Sequence, residues 1–125
     1  MLNHVSVGVR SLATSKQFYD SALGALGYRC LSEDASSLGY GTSQPCFWVL
    51  QTEHPVTADP TSGLHFCIDA PDTASVRNFY AAGLKNGGRD NGKPGVRSDY
   101  SSDYYAAFLM DPDGYRIEAY SRGKA

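Results

Sequence analysis

The chain has no cluster of lysine and arginine, and no apolar run approaches the ~20 residues that a bilayer span requires. Its formal net charge is −2. These absences weigh against a nucleic-acid partner and against an electrostatic membrane anchor. The first residues, Met1-Leu2-Asn3-His4, carry neither a charged nor an apolar leader, so a soluble, non-exported protein is expected. Cysteine is scarce and odd in number: Cys30, Cys46 and Cys67, with no Cys-x-x-Cys pair. Three buried free thiols are expected, and with them a reducing, cytoplasmic location. No disulfide or structural metal is needed to hold the fold, because 125 residues bury about two-thirds of their unfolded surface in one domain.

What is present is alternation. In Leu2 to Arg10, Val5, Val7 and Val9 point one way, while His4, Ser6, Gly8 and Arg10 point the other. This period of two marks a strand with one buried face, and it sets His4 on the other one. A helix follows over residues 12–24, capped by Ser11 or Thr14 and carrying Leu12, Phe18, Ala22 and Leu26 on one stripe. Residues 28–33, 36–42 and 46–51 read as strands, with Asp34-Ala35 as a turn. The proline-bearing stretch 53–62 reads as a linker between module 1, about 1–52, and module 2, about 63–121. There the pattern restarts. Leu64, Phe66 and Ile68 share one face, and His65, Cys67 and Asp69 the other. Asp72 caps a second helix whose inner face holds Val76, Phe79, Tyr80, Gly83 and Leu84. Residues 89–102, rich in Gly, Asn, Asp and Ser, read as a loop or a poorly patterned strand within one. A strand over 104–110, a tight Asp111-Pro112-Asp113-Gly114 turn, a last strand over 115–120 and a polar tail complete the chain.

The two halves repeat. The offset of 61 that takes His4 to His65 also takes Phe18 to Phe79, Tyr19 to Tyr80, Leu23 to Leu84 and Gly27 to Gly88. Each half therefore reads βαβββ, giving an α+β protein of two modules. Neither module is large enough to close a core alone, so they must pack together. The same alignment sets Trp48 opposite Glu118, at an offset of 70, and assigns the extra residues to the region 88–103.

In the last strand Ile117 and Ala119 face one way, and Arg116, Glu118 and Tyr120 the other. Three strands thus each place one metal-competent side chain opposite their apolar layer: His4, His65 and Glu118. Two imidazoles and a carboxylate bind a divalent transition metal such as Zn, Mn, Fe or Ni and leave coordination positions open. Taken one at a time, each of these residues is an ordinary surface or hydrogen-bonded side chain. The repeat is what gives them a reason to meet. Around them, Arg116, Tyr120 and Trp48 are candidate cavity walls, and a loop carrying Arg97, Tyr100, Tyr104 and Tyr105 a candidate lid, suited to a small anionic or aromatic substrate. Nine tyrosines also suit a dimer interface.

These residues, together with Phe18-Tyr19-x-x-x-Leu23-Gly24 and Asp111-Pro112-Asp113-Gly114-Tyr115-x-Ile117-Glu118, make the chain resemble the vicinal oxygen chelate superfamily: glyoxalases, bleomycin resistance proteins and extradiol dioxygenases. The resemblance implies paired βαβββ modules forming a cup-shaped mixed sheet with helices outside, commonly as a homodimer. It also implies a divalent metal held by His4, His65 and Glu118, and Glu118 is the catalytic candidate, a base if it leaves the metal. A metal-dependent lyase or isomerase of glyoxalase type is the first expectation. A true glyoxalase I has a fourth ligand, a carboxylate at the end of the first module, where this chain has Trp48. Extradiol dioxygenases add a histidine for acid–base work, and the one remaining here, His54, lies in the linker. The alternatives are an antibiotic-binding protein that works by sequestration and a three-ligand dioxygenase or thiol transferase.

Overall fold

A computed structural model of the chain describes residues 1–57 and 59–123. Period-two alternation and helix caps produce ten elements. Strand β1 (Val5–Val9), helix α1 (Leu12–Gly24) and strands β2 (Arg29–Glu33), β3 (Ser37–Gly41) and β4 (Pro45–Gln51) make the first module. Strand β5 (Phe66–Asp69), helix α2 (Thr73–Lys85) and strands β6 (Arg89–Val96), β7 (Tyr104–Met110) and β8 (Arg116–Arg122) make the second. Each module is a four-stranded mixed sheet, ordered β1-β4-β3-β2 and β5-β8-β7-β6, with the first strand parallel to the last at one side. β1 and β5 are therefore edge strands within the chain.

The repeat is physical. Ser11 Oγ accepts from the Thr14 amide at the start of α1, and Asp72 Oδ1 accepts from the Ser75 amide at the start of α2, both at the offset of 61. Ser6 pairs with Trp48, as Cys67 pairs with Glu118, so Trp48 and Glu118 occupy equivalent places. At the helix exits the offset slips to 60. The Tyr28 amide bonds to Leu23 O, but the Gly88 amide bonds to Gly83 O. This one-residue slip explains Leu84, expected on the inner face but 40% exposed.

The two helices pack against each other and against the inner sheet faces, around Phe18, Tyr19, Leu23, Val49, Phe79, Leu109 and Ile117. Phe18 crosses into the second module, where a Cβ on Gly83 or Gly88 would meet its ring at 3.2 or 2.5 Å. The β7–β8 turn ties the modules further. The Tyr115 hydroxyl donates to Gly8 O at 2.7 Å, the Arg10 amide donates to Asp113 Oδ1 at 3.1 Å, and the Tyr19 hydroxyl donates to the buried Asp111 at 2.5 Å.

The Gly- and Asn-rich stretch is not a plain loop, and its other reading, a poorly patterned strand, is the one observed: Arg89–Val96 pairs with β7 as an edge strand with register shifts between Asp90 and Gly92 and between Gly92 and Gly95. An edge tolerates the missing amide hydrogen of Pro94. The thiols are not buried, contrary to expectation. Cys46 and Cys67 are exposed and Cys30 is partly so, because Cys46 and Cys67 lie on the strand faces turned from the helices. The expected polar tail begins later than Ser121, since β8 runs to Arg122, and Lys124 and Ala125 lie outside the described residues. Among the described residues no helix is long and apolar enough to cross a membrane.

Candidate functional site

Each histidine sits one residue before an edge strand, His4 before β1 and His65 before β5. Glu118 is at the centre of β8, beside β5. The structure brings two of the three expected ligands together: His65 Nε2 lies 3.0 Å from Glu118 Oε1. Glu118 is 2% exposed and His65 44% exposed by side chain, so the imidazole is reachable from solvent while the carboxylate is not.

His4 does not join them within the chain. Its ring bonds to the Asn3 side chain at 2.7 Å, and among the described residues no three His, Cys, Asp or Glu side chains are grouped as a metal ion requires. The cause is topological. β1 and β5 edge different sheets, and the modules meet through their helices.

The second oxygen of Glu118 is held by a residue that sequence reasoning placed in a lid rather than at the centre. The Tyr104 hydroxyl donates to Oε2 at 2.5 Å. Burial first, and then this bond to Glu118, push the Tyr104 phenol well above its ordinary range, so at neutral pH it remains a protonated donor. Tyr120 packs on it with ring centroids 4.2 Å apart, and Tyr100 with centroids 4.8 Å apart. Cys67 Sγ is 4.0 Å from the same hydroxyl. Desolvation and then the Glu118 carboxylate push this thiol up to about 12, which keeps it from acting as a thiolate nucleophile. The signal available for Tyr104 was strand parity, but Tyr104, Ala106 and Phe108 look no more polar than Tyr105, Ala107 and Leu109.

The remaining candidates divide. Arg97 and Arg116 line a cleft of about 420 Å³ together with His65 and Phe108. Tyr120 lies on the Glu118 face, against Tyr104. Tyr105 is corrected. It is 3% exposed on the opposite face of β7, in the core, where Arg77 Nη1 donates to its hydroxyl at 3.4 Å. Trp48 lies over Gly39, where a Cβ would meet its ring at 2.8 Å, in the module that lacks the His65–Glu118 pair.

No family model and no curated protein matches the chain by sequence. Solved structures do. A glyoxalase/bleomycin resistance protein from Albidiferax ferrireducens T118 is 35% identical with a TM-score of 0.82, over 96% of this chain and 97% of that one. A putative glyoxalase from Bacillus halodurans is 23% identical with a TM-score of 0.72, over 96% and 94%. A glyoxalase I mutant from Zea mays is 20% identical with a TM-score of 0.73, over 98% of this chain and 46% of that one. The latter two share the fold. Identity and coverage of the first go further, and the chain belongs to the glyoxalase/bleomycin resistance protein family of the vicinal oxygen chelate superfamily.

Proposed function

We propose that the protein is a divalent-metal-dependent enzyme acting on a small oxygenated substrate, a glyoxalase-like lyase or isomerase, working as a cytoplasmic homodimer. The observation that carries this is the buried Glu118 carboxylate. Among the described residues its ion pair is with His65 alone, and it makes none with an arginine or lysine. A buried carboxylate without a permanent cation is costly, and a divalent ion supplies one. The donor set fits: imidazole nitrogen and carboxylate oxygen suit Zn, Mn, Fe or Ni. Such an ion, when bound, polarises a substrate oxygen.

His4 is the third ligand of this reading, contributed by the partner subunit. It lies exposed at the start of an edge strand, with its ring bonded to Asn3 and not grouped with His65 and Glu118 among the described residues. Glu118 is the candidate base for a proton on carbon beside the substrate carbonyl, a role that requires the buried carboxylate to leave its bonds to His65 and Tyr104. Tyr104 fixes that carboxylate and, being a donor, keeps one oxygen directed. Three free thiols and the absence of any cysteine pairing among them fit a reducing compartment.

Metal content tests the proposal. Protein purified without chelator should carry about one ion per chain, and H4A, H65A and E118Q should each lose it. Co-expression of H4A with H65A chains should restore one metal site to each mixed dimer, which pairs one intact His4 with one intact His65, and none to either homodimer. No metal in the unmodified protein would overturn the reading. It would leave sequestration, which one observation favours: an apolar gap of about 630 Å³ between the modules, lined by Leu23, Tyr28, Phe47, Phe66 and Ile68. A dioxygenase needing an acid–base histidine is disfavoured by His54. It sits in the linker, its amide bonded to Thr52 Oγ1.

A further inference from the structure

We infer that the substrate carries an oxyanion, a carboxylate or a phosphonate, and that Arg97 and Arg116 hold it in the cleft beside His65. This rests on the reading of His65 and Glu118 as the reacting centre.

Arg97 is fixed before any ligand arrives. Its side chain turns back over its own strand, where Nη1 donates to Gly95 O at 3.0 Å and Nη2 to Lys93 O at 2.7 Å. The bulged course of β6 makes this possible. A Cβ on Gly92 or Gly95 would meet the guanidinium at 3.2 or 3.3 Å, so the two glycines leave the side chain room for this path. The guanidinium carbon stands 5.4 Å from the Phe108 ring centroid, and the His65 ring stands 6.1 Å from that same centroid. Phe108 is thus the common neighbour of Arg97 and His65.

A guanidinium has five N–H donors, and two bonds leave three free for a ligand. Among the described residues Arg97 makes no ion pair with a carboxylate. Arg116, on the Glu118 face of β8, is also outside any ion pair. Its Nη2 donates to the backbone carbonyl of Asp59 at 3.2 Å, while the Asp59 carboxylate is taken up by the Thr61 amide and hydroxyl. Two cations that make no ion pair among the described residues line one cleft, with the Asp59 carboxylate near enough to feel the Arg116 charge, in a protein whose net charge is −2. Neutral ligands do not repay that arrangement, whereas an oxyanion accepts from both planar forks. The exposed Tyr100 and the Phe108 ring offer the rest of the ligand an aromatic wall. This also gives a use to the residues that the second module has gained over the first. They build β6 and the Arg97 turn.

The test titrates benzoate, phenylphosphonate and neutral benzamide into the full, chelator-treated chain, followed by ¹H–¹⁵N NMR. Benzoate or phenylphosphonate should shift the Gly92 and Gly95 amides and the Arg97 Nε–H, with the tighter of the two naming the head group. Benzamide should bind at least about tenfold more weakly, and R97Q and R116Q should each cost the anion about tenfold in affinity. R122Q, removing a cation paired with Asp103 away from the cleft, should leave binding unchanged. Because Arg97 also braces β6, R116Q keeps the test valid if R97Q fails to fold. Equal affinity for benzoate, phenylphosphonate and benzamide, or unchanged anion binding in R116Q, would overturn the inference. Metal content read on the same preparation before chelator treatment separates the two ideas. Metal bound without anion preference sinks this inference alone, and anion preference without metal sinks the proposed chemistry alone.

Discussion

Asp111 carries a second buried carboxyl, and its chemistry is unlike that of Glu118. It is fully buried in the β7–β8 turn and accepts from the Tyr19 hydroxyl and from the Tyr115 and Asp113 amides. Burial outweighs these donors and pushes its carboxyl from 3.8 up to about 6. Between those values the folded chain holds a proton that the unfolded chain has released, so stability falls as pH rises through that window. The expected loss is about 3 kcal/mol at most. Other acids, among them Asp34 and Asp90, are shifted downward and act in the opposite sense, so the comparison must be differential. Urea unfolding should show wild type gaining on D111N as pH drops from 7.5 to 4.5. A constant difference would mean that Asp111 is ionised throughout. At this same scale the sequence was legible where neighbours alternate in polarity, as around Glu118. It was not legible in Tyr104-Tyr105, where two identical residues face opposite layers and only the register of β7 with β8 decides which one reaches the site.

At the scale of elements, the helices and their starts were readable because caps and apolar stripes are local, while the end of the second was not, as Leu84 shows. Ser11 and Asp72 each satisfy an amide three residues on, and nothing distant is needed. β6 was not, because its pairing comes entirely from β7, while its own Gly, Asn and Pro residues have low strand preference. The point where the second helix turns into β6 is correspondingly tight. A Cβ on Gly88 would meet Phe18 Cε1 at 2.5 Å and Gly83 O at 2.8 Å. Ring and backbone both resist, so G88A should lower stability by about 1–3 kcal/mol, measured by denaturant unfolding. Gly24, where an added Cβ meets nothing within 4 Å, is the matched control, and G24A should not destabilise the protein.

For the whole molecule, the internal repeat was the most informative feature of the sequence. It placed His65 from His4 and Glu118 from Trp48, and the paired registers of the two sheets agree. What no intrachain pattern carries is which surfaces of separate copies meet, and the proposed sharing of His4 between subunits depends on that. The internal seam is better defined. Helix packing, the Phe18 ring and the bonds from Tyr19, Tyr115 and Arg10 hold the halves together, while the segment joining them runs past exposed Glu53, His54 and Val56. Peptide continuity between the halves is therefore dispensable once folding is complete. A protease that nicks this connection should yield two fragments on a denaturing gel that still elute as a single native species, and elution as separate fragments would show the seam to be weaker than its contacts imply. By the same reasoning the two halves, expressed as separate polypeptides, should find each other and reconstitute the fold.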